Sequence, residues 1–323
     1  DLGLSYSAGW HEKNDRTKGY FDSEWGVPES WDSVILQGPH LHVANPFYKQ
    51  PNETMANNKD WTPVDLESLP PDAIPATSYK PRGNRTKYDA AYTHWQSKPE
   101  GSVAARSQYR VAWRKMAANT GERTLISAVI PPGSAHIDGI FAIASESRDL
   151  IGLIDVASQL ATLASDLMVR VAPKANIRAT TIERLPAIGN GHLLLSDIRL
   201  RYLRLVCLSE VYQPLWSACF DERFLGDAWV LDDDLASVPL APAGPSWDAS
   251  VPLRRSLDRR RAMIELDALV AVALGITEDE LATIYRTQFP VLAGYDRNAY
   301  LFDANGRLVP SVVLARWRQN GTN

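Results

Sequence analysis

The residues best placed to do chemistry lie between Asn45 and Tyr48 and between Lys80 and Arg123. Asn45-Pro46-Phe47-Tyr48 approximates the order amide, proline, proline, aromatic. In that order the amide and a backbone carbonyl accept hydrogen bonds from the amine of an extruded base, and the aromatic ring stacks on it. Here Phe47 replaces the second proline. Amine methylation also needs a strand, a glycine-rich turn and a helix to hold a nucleotide-like cofactor. Only 44 residues precede Asn45, and Gly189-Asn190-Gly191 follows a loop containing Pro186 rather than an apolar strand. The segment therefore reads first as an ordinary proline-containing loop.

Other candidates are weaker still. His40-Leu41-His42 sets two imidazoles on one extended face, but no Cys, Asp or Glu stands at ligand spacing, so a structural or base-contacting role is expected. His136 follows Pro131-Pro132-Gly133 in a loop and has no nucleophile to pair with. Asp232-Asp233-Asp234 reads as a solvated acidic loop, and Asp72 lacks the downstream acid and lysine of a nuclease centre. No catalytic, cofactor-binding or metal-ligating residue is assigned.

The basic segment has more geometry. Between Lys80 and Arg123 the chain carries a charge of +7 within a total of −4, so the remainder is strongly acidic. Tyr109, Val111 and Trp113 alternate with Arg110, Ala112 and Arg114, the period of a half-buried strand with an apolar face and an arginine face. Arg106 extends the arginine row. A row of this kind can clamp phosphates, while Lys80, Arg82, Arg85 and Lys87 occupy a Pro/Gly/Asn-rich loop able to reach base edges. With Lys115 and Arg123 these nine residues are the expected nucleic-acid contacts. The competing reading is a sheet face whose arginines pair with acids.

The elements that must position these residues are an α+β mixture: small sheets with long loops packed against long helices. Residues 1–79, rich in Trp, Pro, Asn and Gly, predict short strands such as Ser33 to Gln37 and Leu41 to Ala44. Apolar runs Thr124 to Ile130 and Gly139 to Ala144 supply partners for the arginine strand. From Asp149 a helical period begins with Leu150, Leu153, Ile154, Ala157, Leu160, Ala164 and Leu167, until Pro173 stops it. A second helix is expected from about Leu194 to Val211, then a loop or linker at 226–250. Arg254 to Leu274 predicts a helix closed by Gly275. Thr277 and Glu280 form a capping box for the next one, and Ala299 to Val309 reads as two strands around an Asn305-Gly306 turn. Three parts follow: a recognition domain at 1–225, the linker at 226–250 and a helical subdomain with short terminal strands at 251–323.

Composition, 45% apolar and 22% charged, suits a packed core rather than disorder. Two cysteines without CxxC spacing, and no charged-then-apolar leader, make the cytoplasm the expected compartment. No run of 18 apolar residues occurs, so no membrane partner is expected. The chain opens on Asp1 without an initiator Met and is read as part of something longer.

As an ensemble, several segments resemble the C-terminal recognition region of adenine-specific DNA methyltransferases from bacterial restriction-modification and phage-defence systems. They are Gln37-Gly38-Pro39-His40, Asn45-Pro46-Phe47, Ile74 to Tyr79, Tyr109 to Arg114 and Glu122 to Gly133. The likeness continues through Leu150 to Leu153, Leu185-Pro186, Arg259 to Gly275 and Tyr285 to Pro290, spanning roughly residues 30 to 310. The resemblance implies a TaqI-like or type I specificity-like target-recognition module that binds double-stranded DNA. The implied parent carries an N-terminal catalytic domain and transfers methyl from S-adenosylmethionine to adenine N6. This chain departs from the family in lacking cofactor motifs and in having Ala76 where relatives often have arginine. Two alternatives stand beside this expectation: a divergent catalytic fragment using Asn45 to Tyr48, and a protein-interaction module docking through helices at 254–286.

Overall fold

Alternation from Arg110 to Arg114 does produce a strand, and its neighbours are the apolar runs on either side of Pro131-Pro132. A computed structural model describes residues 3–97, 101–172, 175–230 and 238–321. Lys98, Pro173 and Asp232 to Asp234 lie outside the described residues. In chain order the strands are β1 (Leu4–Ser7), β2 (Phe21–Gly26), β3 (Ile35–Leu36), β4 (Lys49–Pro51), β5 (Trp61–Pro63) and β6 (Thr77–Pro81). They continue with β7 (His94–Ser97), β8 (Gly101–Ala104), β9 (Arg110–Arg114), β10 (Ser127–Ile130), β11 (Ala135–His136) and β12 (Ile140–Ser145). The helices begin with α1 (Glu12–Thr17), α2 (Arg85–Ala91), α3 (Leu150–Leu160), α4 (Leu163–Val171), α5 (Ala179–Ile182) and α6 (Leu195–Val206). They end with α7 (Gln213–Cys219), α8 (Ser256–Ala273), α9 (Glu278–Gln288), α10 (Pro290–Asn298) and α11 (Ser311–Gln319).

The fold is α+β, with several small sheets packed among eleven described helices. The largest sheet has the order β1-β12-β9-β10 and is antiparallel throughout. Its two faces have different covers. Val111, Trp113, Val129, Phe141 and Ile143 join the main core with Leu153, Ile154 and Ala157 of α3. Ala112, Ala128, Ile130, Ile140 and Ala142 face Val34, Leu36 and Leu41 from the N-terminal segment. The central strand is therefore buried on both sides, not one. The arginine face that alternation alone predicted to be open is closed by residues more than seventy positions earlier.

Three other expectations change for identifiable reasons. The stretch Leu41 to Ala44 is a turn rather than a strand, with Ala44 at φ +51 and fully buried. The long helix from Asp149 breaks at Thr162, and α3 and α4 diverge by 63°. There Arg123 takes the Ala161 carbonyl, and Asp267 accepts the Leu163 amide at 2.7 Å, so side chains from elsewhere satisfy the interrupted ladder. The expected terminal strands shrink to one bridge between Phe302 and Leu308 around Gly306, followed by α11. Ala262, Leu266 and Val270 of α8 belong to the same apolar core as α3 and α6. The capping box is present: Thr277 Oγ1 accepts from the Glu280 amide, and Glu280 accepts from the Thr277 amide at 2.8 Å.

No single described helix is long and apolar enough to cross a membrane, and α3 with α4 would be so only as a bent pair. The N-terminal segment is locked to β11 at Gly9. Its φ is +70, and a Cβ there would lie 2.2 Å from the His136 carbonyl oxygen, next to the bond from the Trp10 amide to that same oxygen. A backbone atom cannot move aside as a flexible side chain can. Gly9→Ala is expected to cost about 2–3 kcal/mol by backbone strain and overpacking; urea unfolding checks it, and a change under about 0.5 kcal/mol would refute the locked contact.

Candidate functional site

The nine cations expected to contact nucleic acid separate into two groups. Arg106, Arg110 and Arg123 are buried, and Arg110 is fully so. Arg110 Nε donates to the Gln108 carbonyl at 3.2 Å, and Nη2 donates to Ser134 through both its carbonyl and its Oγ. Burial lowers its guanidinium pKa. Arg114 is partly buried and donates from Nε to the carbonyls of Gly38, at 2.9 Å, and Leu41, at 3.1 Å. Arg106 bridges Asp89, at 3.0 Å, and Asp32 while also bonding the Gly133 carbonyl. Arg123 pairs with Asp166 at 2.9 Å. These four are corrected from phosphate contacts to internal struts: each ties a loop to the sheet or to a helix, and none of the buried three can reach a duplex.

Lys80, Arg82 and Lys87 remain exposed, with Arg85 partly so. Strand β6 pairs with β2 so that Lys80 lies opposite Asp22, and the Arg82 amide donates to the Tyr20 carbonyl at 2.9 Å. Helix α2 starts at the Asn84 cap, which accepts from the Lys87 amide. Helix α1 packs beside β2 and adds exposed Lys13, Arg16 and Lys18. Lys80 pairs with Glu24 at 2.9 Å and Arg82 with Asp22 at 3.2 Å, both at the surface. Such pairs are weak and exchange readily for a phosphate. Lys13, Arg16 and Lys87 form no ion pair among the described residues. Lys115 sits apart, 3.9 Å from Asp138 and over the Phe141 ring. No protein-family model matches this chain, and neither does any curated protein.

A partly enclosed cavity lies elsewhere, between the turn at 42–48, the loop at 63–67, the start of α8 and the C-terminal bridge. Its volume is about 460 Å³. His42 and Tyr48 line one side as a tilted ring pair with centroids 4.5 Å apart. Glu122 is held between His42 Nε2, at 3.1 Å, and the Tyr300 hydroxyl. Burial would raise the Glu122 carboxyl, but the bonds from His42 and Tyr300 outweigh it and hold the pKa below the usual value. Arg254 and Arg259 line the cavity too. Burial, with the Arg254 charge beside it, lowers Arg259 to about 10.

Asn45 and Tyr48 both border this cavity, yet the arrangement does not fit the methylation motif that their order suggested. Asn45 Oδ1 is turned back onto the Phe47 amide at 2.9 Å, and Phe47 is buried against Trp31. Among the described residues the only parallel pairings are the two-residue β3–β11 ladder and a bridge from Trp10 to Ile137. A doubly wound parallel sheet, the usual platform for S-adenosylmethionine, is not formed by these residues. The two histidines at 40 and 42 also part company: His40 is buried, with Nε2 2.9 Å from the Ala76 carbonyl, while His42 turns to Glu122. Among the described residues no group of His, Cys, Asp and Glu is arranged to hold a metal ion.

Arg254 and Arg259 escaped the sequence reading, although a signal for one existed. Arg259, Ala262, Leu266 and Val270 fall at helical steps of three and four, which puts a cation on an apolar stripe. An arginine in that position must either snorkel out or find acceptors inside.

Proposed function

We propose that this chain is a DNA-binding target-recognition region that positions an adenine-methylating catalytic domain of a bacterial restriction-modification or phage-defence enzyme. The observation that carries the reading is the ordered ensemble of resembling segments from Gln37 to Pro290, including Tyr109 to Arg114 and Glu122 to Gly133. The internal arginines are compatible with it in a different role. By clamping the loops that begin at Gly38, Leu41 and Pro131 to the central sheet, they make a rigid base from which neighbouring loops can present side chains to a duplex. Phosphate contact then falls to Lys80, Arg82 and Lys87, with Lys13, Arg16 and Lys18 alongside. Seven cations on α1, β6, α2 and their connections face five acids on α1, β2 and α2, so the surface is only mildly positive.

That balance has a measurable consequence. With roughly three to four phosphates neutralised, log K for a labelled duplex should fall with log salt at a slope of about −3, much shallower than for a strongly basic protein. Reversing Lys80, Arg82 and Lys87 to glutamate should abolish binding at moderate salt. Arg114→Ala should leave the slope intact, because that side chain is spent on carbonyls. Fluorescence anisotropy over a salt series reads all three. Salt-independent binding, or none at low salt, would count against the assignment.

A further inference from the structure

The cavity at the start of α8 contains two guanidinium groups that no carboxylate neutralises. Arg254 donates from Nη1 to the carbonyls of Leu66 and Leu69, both at 3.0 Å, and from Nη2 to that of Leu208 at 2.8 Å. Arg259 donates from Nη1 to Leu205 and Leu253, at 2.8 and 2.9 Å, and from Nη2 to Ala44 at 3.1 Å. Among the described residues neither has an acidic oxygen within 4.0 Å. Carbonyl oxygens satisfy donors but do not cancel charge, so two positive charges share one partly enclosed space. A guanidinium has five N–H donors. Three on each are used, leaving two on each for a ligand.

The acids on the cavity wall are hydrogen-bonded to groups other than the two arginines. Glu122 is bound by His42 and Tyr300, Glu67 pairs with Arg307 at 3.0 Å, and Asp65 Oδ1 accepts the Glu67 amide. The same cavity is lined by the aromatic and amide side chains of His42, Tyr48, Tyr300 and Asn45. The turn that carries His42, Asn45 and Tyr48 is strained at Ala44, whose φ is +51, and the strained carbonyl is the one Arg259 holds. Strain maintained by a cation at a cavity rim is a common mark of a site shaped for binding. A carboxylate or phosphate alone would leave most of the 460 Å³ empty, whereas a ring joined to an anion uses both the cationic and the aromatic lining.

We propose that this cavity binds one nucleotide, its phosphate on Arg254 and Arg259 and its base against the Tyr48 and His42 wall. The nucleotide comes either free from solution or from a DNA strand. The site is independent of the duplex-binding surface at β6 and α2, so either can fail alone.

Calorimetric titration with dAMP, adenosine and inorganic phosphate tests it on the full chain. Saturable one-to-one binding of dAMP is expected, with adenosine and phosphate each weaker by about tenfold or more. Arg259→Gln should weaken dAMP by a similar factor. Because Arg259 also braces Ala44, a second variant guards against misfolding: Asn45→Asp keeps the acceptor for the Phe47 amide but adds a negative charge at the cavity. It should weaken dAMP, which carries the negative charge, by a larger factor than it weakens uncharged adenosine. No dAMP binding at millimolar concentration, equal binding of phosphate or adenosine, or full dAMP affinity in Asn45→Asp would overturn the proposal. An oligonucleotide duplex carrying 2-aminopurine separates the sources. A fluorescence rise lost in Asn45→Asp assigns the site to an extruded base, and dAMP binding without that rise assigns it to free nucleotide.

Discussion

Replacing Asp166 with alanine is expected to cost about 3–5 kcal/mol of folding stability, the usual penalty for stripping one partner from a buried ion pair. Asp166 is fully buried and accepts from Arg123 Nε at 2.9 Å, from the Thr124 amide at 3.0 Å and from the Leu125 amide at 3.0 Å, with Arg170 at 3.6 Å. The carboxylate thus fixes the chain at the entry to β10 and anchors α4 beneath it. Removal leaves a buried arginine charge and two amides without acceptors. Asp166→Asn keeps an oxygen for the amides and should lose roughly half as much. Combining Asp166→Ala with Arg123→Leu should cost clearly less than the two single losses added together, because the second change removes the stranded charge. Urea denaturation measures the parent, the three single variants and the double variant. The same set decides the role of Arg123: as an internal strut it lowers stability when lost, whereas as a phosphate contact Arg123→Leu would weaken DNA binding in a protein of unchanged stability. An Asp166→Ala protein within about 1 kcal/mol of the parent would show that the pair is not a strut.

Local signals explain why the α+β class and the longest helices, α3, α6, α8 and α9, could be read from the sequence. Asp149 accepts the Gly152 amide and starts α3, and Thr277 with Glu280 starts α9, because caps depend only on residues a few positions apart. What one strand cannot report is its second cover. Arg110, Ala112 and Arg114 alternate as an open face would, and only the return of Val34, Leu36 and Leu41 over that face makes it interior. The acceptors for those arginines are backbone carbonyls, which every residue has and no sequence motif marks. Helix α6 shows the same limit, since Arg199, Arg201 and Arg204 are buried on Asp155, Asp227 and Glu265, partners that no local pattern marks. Charge density in a segment therefore indicated where ions are needed, while topology determined whether they face water. The cavity at α8 was hidden for a related reason: its walls come from positions 42, 122, 254 and 300, so no window of sequence contains them together.

Acidification from pH 8 to pH 5 is expected to remove about 4 kcal/mol of stability through two buried imidazoles, roughly 2 kcal/mol each. Burial lowers His40 to about 4; burial, and then the neighbouring Arg110 charge, lowers His136 to about 3. Both lie below the ordinary value of 6.5, so in the folded protein each ring stays neutral while the unfolded chain takes up protons. The unfolded state therefore binds more protons below pH 6.5, and stability must fall as pH falls through that value, down to the folded pKa of each ring. His40 bridges the Gln37 amide and the Ala76 carbonyl, tying the start of the strained 42–48 turn to β6, so its loss should be felt at both proposed binding surfaces. His136 Nε2 is buried without a partner, which makes an apolar ring a tolerable replacement there. His136→Phe should flatten the pH dependence between 6.5 and 5 by about half, and at pH 5 the variant should be the more stable protein relative to its own value at pH 8. Chemical denaturation at the two pH values gives the comparison directly. A parent whose stability changes by less than about 1 kcal/mol over that interval would mean that these rings are not held neutral in the folded chain.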